Sequence, residues 1–127
     1  MLARAQVAMA QSQLAAVGAT GGLRACTESL QGWVAEHRRD APSWDALSAC
    51  AGASGQSLRA LGAGAEAAWA RGDIVGAVDR YRAARQAARA AGPDQYAEAA
   101  IIESRLREVE AERRRVQAEA MGERDPG

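Results

Sequence analysis

The chain has 127 residues, 48% of them hydrophobic with no phenylalanine, and its sixteen basic residues, all arginine, balance sixteen acidic ones. Zero net charge argues against a general polyanion binder, because nucleic-acid affinity rests on an excess of positive charge. No run is long enough to cross a membrane, and Gln6, Gln11 and Gln13 interrupt the start where a signal peptide within the chain would need an apolar core. Abundant Ala, Arg, Glu, Gln and Leu favour helix. A core built from alanine demands close helix-to-helix contact, so tryptophan and leucine must supply much of the burial.

Residues 2–17 form the first helix candidate, with Leu2, Met9, Leu14 and Val17 as its larger apolar positions. Gly18 to Gly22 break it; no strand precedes them and no Lys-Ser/Thr follows, which excludes a phosphate loop. The second helix is expected over Leu23 to Arg38, with Leu23, Cys26, Leu30, Val34 and His37 along a stripe. Pro42 ends it, and Ser43 is the expected N-cap of a short third helix over Trp44 to Ala51 that carries Trp44, Leu47 and Cys50. Leu58 to Ala70 is the fourth. Gly72 can take the positive φ that ends it, and Asp73 can cap the fifth by accepting from free backbone N–H groups. That fifth helix, to Ala91, places Ile74, Val75, Val78, Tyr81 and Ala84 on one face. The sixth and longest runs from about Gln95 to Met121, and Gly122 to Gly127 is expected to fray, leaving one domain over residues 1–121. The expected fold is therefore all-α: about six antiparallel helices with short connections and a long C-terminal capping helix.

Cys26 and Cys50 allow one disulfide at most. Counted outward from a turn at Arg39 to Pro42, Cys26 lies about six residues farther away, an offset of ~9 Å at ~1.5 Å per residue, whereas a bridge needs Cα atoms within ~7 Å. The spacing predicts two small buried thiols. The only histidine, His37, sits at a helix end where it suits the dipole as a surface or cap residue. Arg82, Arg85 and Arg89 form a basic stripe, and folding about Pro93 is expected to pair Arg89 with Glu98 and Arg82 with Glu103. Arg113, Arg114 and Arg115 follow Glu108, Glu110 and Glu112, giving a mixed-charge, solvated helix end. Ile102, Leu106, Val109, Arg113 and Val116 keep a coiled-coil-like spacing that caps the array or pairs with a second copy.

Trp44, Leu47, Ser48, Gly55, Ala60 and Ala67 follow in order the positions of a tetratricopeptide unit, with Gly64 where an aromatic is usual. Gly72, Asp73, Ala77, Tyr81 and Ala84 match the second half of the next unit, so the fourth helix serves two units at once. Three runs, Gln31–Trp44, Arg71–Arg80 and Glu98–Glu108, together resemble the C-terminal helical-repeat tail of periplasmic zinc metallopeptidases of the β-barrel-assembly-enhancing type. The resemblance implies a periplasmic tail that docks outer-membrane assembly machinery or substrates, with a peptidase domain elsewhere carrying a His-Glu-x-x-His zinc helix. One histidine cannot supply that motif, so no catalytic, metal or cofactor residue carries over. In the tetratricopeptide frame Arg59, Gly62, Glu66 and Trp69 point toward a concave groove, as do Asp45 and Ala49 one unit earlier. The expected function is a non-catalytic module that binds a protein or peptide partner. The alternative is a homodimer formed through residues 95–121.

Overall fold

The computed structural model describes residues 20–124. The first helix candidate, residues 2–17, lies outside the described residues, as do residues 125–127 of the tail expected to fray, whereas residues 122–124 continue the last helix. Within them the fold is all-α, without strands: α1 (Thr20–Glu36), α2 (Ala41–Ala53), α3 (Ser57–Ala70), α4 (Ile74–Ala90), a 3-10 turn (Pro93–Gln95) and α5 (Tyr96–Arg124). Each helix packs on the next, and α5 reaches back to α3.

The turns show why the chain reverses where it does. Gly72 closes α3 at φ +85°, a conformation that L side chains rarely adopt. Asp73 then caps α4, accepting from Gly76 N at 2.9 Å, as its position implied. A Cβ at Gly76 would collide with that carboxylate, so cap and glycine are a matched pair. At the earlier turn the N-cap is Asp40, not Ser43. Asp40 accepts from Ser43 N at 3.4 Å and Ser43 Oγ at 2.7 Å, and Trp33 Nε1 donates to it at 2.8 Å. Burial pushes its carboxyl up, but the bonds from Ser43 and Trp33 outweigh that and hold it below the usual carboxylate range. Pro42 sits inside the first turn of α2, where its missing N–H costs nothing. Likewise Gly21 and Gly22 lie within α1 instead of breaking the chain before it.

That three-residue change in where α2 begins overturns the expectation of free thiols. Cys26 and Cys50 stand at nearly equal distances from the true turn, their Cα atoms are 6.1 Å apart, and they form a disulfide. The bridge pins α1 to α2 inside a core cluster with Leu30, Val34, Trp44, Leu47, Ala63 and Ala67. A second cluster joins Leu58, Ala65 and Ala68 of α3 to Val78 and Tyr81 of α4 and to Ile102, Leu106 and Val109 of α5. Helix α3 thus gives one face to each cluster, and its small residues allow the close approach. Gly64 faces Ser48, and a Cβ there would stand in ordinary contact, 3.7 Å from Ser48 Oγ. Val75, expected on the packed face of α4, is 53% exposed, while Ala77 takes the buried place.

Candidate docking groove

Arg59, Gly62, Glu66 and Trp69 recur at spacings of three and four, which places them on one face of α3. Glu98, Ile101, Ile102 and Arg105 of α5 border the same space, and the α1–α2 loop brings Arg38 and Arg39 to one end. Two hollows result, of about 220 and 510 Å³. Leu47, Ala63 and Ile102 line the first; Trp69, Ala70 and Ile74 line the second. Arg38, Glu66 and Arg105 border both, so their ion pairs form a bridge between them.

Glu66 is the hub. Its side chain is only 8% exposed, and Arg105 grips it with Nε at 2.7 Å and Nη2 at 2.9 Å. Arg38 Nη2 donates to it at 3.3 Å, and the buried Tyr81 hydroxyl donates to its other oxygen. One carboxylate therefore ties together the α1–α2 loop, α3, α4 and α5. A two-pronged Arg–carboxylate contact fixes geometry as well as charge. Burial, then the Glu66 charge, pushes the Tyr81 phenol well above its ordinary value. Burial works against the Arg105 cation, but hydrogen bonds and charge from Glu66 more than offset it and raise its pKa. Both guanidiniums rest on aromatic faces: Arg105 lies 4.5 Å from the Trp69 ring centre, and Arg38 lies 5.9 Å from that of Trp44.

Of the six residues expected at a groove, four are brought together and two are not. Asp45 and Ala49 are exposed on α2 and border neither hollow; Asp45 pairs instead with Arg71. Trp69 packs against the second core cluster as well as lining the groove, with one face under Arg105. Arg38, Arg39, Tyr81 and Arg105 escaped the sequence reading of the site. The available signal was Glu66 itself, a lone carboxylate in the small-residue run Ala63 to Ala68. Such a charge needs partners, and these lie 15 to 39 residues away in sequence.

The α4–α5 pairs are also shifted from expectation. Arg82 meets Glu110 at 3.2 Å, Arg85 approaches Glu103 at 3.9 Å, and Glu98 belongs to Arg59 at 2.8 Å. Side chains lean toward the start of their own helix, so an arginine on α4 reaches a glutamate farther along α5 than backbone counting gives. His37 stacks on Trp33 at 3.7 Å, and its Nδ1 lies 3.0 Å from the Trp33 carbonyl oxygen, which closes the end of α1. Among the described residues no group of three His, Cys, Asp or Glu side chains could hold a metal ion. No helix there is long and apolar enough to cross a membrane. No family model, curated protein or solved structure matches the chain.

Proposed function

We propose that this chain is a non-catalytic, tetratricopeptide-like interaction module that holds a segment of a protein partner in the groove between α3 and α5. By its resemblance it serves as the partner- or substrate-docking tail of a periplasmic metallopeptidase engaged in outer-membrane protein assembly or quality control. The alignment of Arg59, Gly62, Glu66 and Trp69 on the face of α3 that borders both hollows carries this reading. Aromatic and arginine side chains dominate interface energies, and both line it. The disulfide supports the compartment, since such bridges persist where the surroundings are oxidising.

The test is capture of purified outer-membrane assembly components by the chain and by an Arg59→Ala, Trp69→Ala double variant. The variant is expected to lose capture while keeping its helical circular dichroism; unchanged capture overturns the groove reading. A second reading, a homodimer through α5, is favoured by Val116 and Met121, which are 39% and 70% exposed near the end of that helix.

A further inference from the structure

Each hollow is bordered by three arginines and two glutamates, and the two differ in where those charges are committed. In the first, Arg59 donates twice to Glu98, at 2.8 and 3.1 Å, so the pair is self-satisfied. Five charged groups border the second: Arg38, Arg39, Arg105, Glu66 and Glu112. Glu66 is committed to Arg105 and Tyr81, and Glu112 accepts from Arg115, outside the hollow, at 3.0 Å. Arg105 has Glu108 as a second carboxylate at 2.6 Å, so one cation, Arg39, is left over and another, Arg38, only shares Glu66. Arg38 is half-exposed, with one 3.3 Å contact to a carboxylate already shared. Arg39 is exposed and makes no ion pair among the described residues.

The backbone that carries them is anchored before any ligand arrives. Trp44 Nε1 donates to the Arg38 carbonyl at 2.9 Å, and Trp33 with Ser43 anchors Asp40 one residue beyond Arg39. Trp69 and Ile74 supply an apolar wall beside these cations. A guanidinium fork matches a carboxylate, and a preorganised loop loses little freedom on binding. The Glu66 charge in the same hollow disfavours a dianion such as phosphate more than a single carboxylate.

We propose that this hollow takes an aspartate or glutamate side chain from an extended partner segment, with the neighbouring apolar residue resting on Trp69 and Ile74. The inference rests on the groove reading and names the chemistry of the ligand.

The experiment uses the full chain and fluorescent ten-residue peptides capped at both ends. One carries glutamate followed by leucine; its twin carries glutamine followed by leucine. Fluorescence anisotropy is expected to show the glutamate peptide binding about tenfold tighter, with the difference shrinking as salt rises. Arg39→Glu, which removes no internal partner, is expected to abolish that preference, and Arg38→Gln to reduce it. Arg107→Glu, the same charge change on α5 away from both hollows, is expected to leave it intact. Equal binding of the two peptides overturns the inference, as does a preference that survives Arg39→Glu or is lost equally in Arg107→Glu. If both peptides bind equally and both fail against the Arg59, Trp69 double variant, the groove reading stands and the acidic-ligand inference falls. Failure of every peptide to bind overturns the inference too.

Discussion

Removing the Glu66 carboxylate would take away two of the three bonds that hold the Arg105 guanidinium and leave it with Glu108 alone, at 2.6 Å on the exposed side. Deleting one partner of a buried pair costs ~3–5 kcal/mol where the remaining charge is left uncompensated, and with Glu108 still beside Arg105 the expected cost lies below that range. The fourth member of the cluster gives this arrangement a pH signature. Tyr81 is 1% exposed, and its folded-state pKa is raised by burial and by Glu66. An unfolded tyrosine ionises near pH ~10, so above that value the unfolded chain loses a proton that the folded chain keeps. Stability is therefore fully present below pH ~10 and falls as pH rises beyond it, by up to ~1.4 kcal/mol per unit for this one group. Thermal melts between pH 9 and 11 are expected to show the decline, and Tyr81→Phe to flatten it. An identical slope in the two proteins would mean that other groups govern the alkaline limb.

At the scale of elements, the disulfide contributes more than any single surface pair. It closes a loop with a sequence separation of 24 residues. Chain-entropy arguments put the stabilisation of such a loop at ~3–4 kcal/mol. In a chain of this size that corresponds to a drop in melting temperature of roughly 10–20 °C on reduction. Calorimetry with and without a phosphine reductant, and on a Cys26→Ser, Cys50→Ser double variant, checks it. A shift below about 3 °C would mean that α1 is held by Leu30 and Val34 alone. The same bridge marks the limit of what the sequence made legible. Gly72 and Asp73 were readable because a positive φ and an N-cap are properties of two or three adjacent residues. Pro42 misled, since proline ends one helix and begins another with equal ease, and Asp40 and Ser43 both cap well. Misplacing that cap moved one helix against its neighbour by half a turn and more, enough to hide a disulfide. Glu66 was placed on the right face by its spacing with Arg59 and Trp69, but its role depends on three partners from three other elements. No local pattern encodes that.

For the whole molecule, the open question is whether the chain acts alone, and the lengths of the last two helices bear on it. Helix α4 has 17 residues and α5 has 29, so α5 outruns its partner by ~18 Å at ~1.5 Å per residue. Ile102, Leu106 and Val109 are buried against the rest of the fold, whereas positions 114–122 are all exposed. Two copies paired through this overhang would share a strip only ~17 Å long and ~10 Å wide, far short of the ~1,200 Å² that a stable interface buries. Arg115 is also engaged within the helix, 3.0 Å from Glu112 and 2.5 Å from Glu119, so these three charges add nothing specific across a dimer. Sedimentation velocity is accordingly expected to give a monomer up to ~100 µM, well above the nM-to-µM affinities that standard-sized interfaces reach. Removing residues 116–127, which keeps Arg115 on Glu112, is expected to leave the melting temperature within about 2 °C and peptide binding unchanged, because positions 116–122 are all exposed. A sedimentation coefficient that rises with concentration in the full chain, and ceases to rise after that truncation, would instead make α5 an assembly element and give the homodimer reading precedence over the groove.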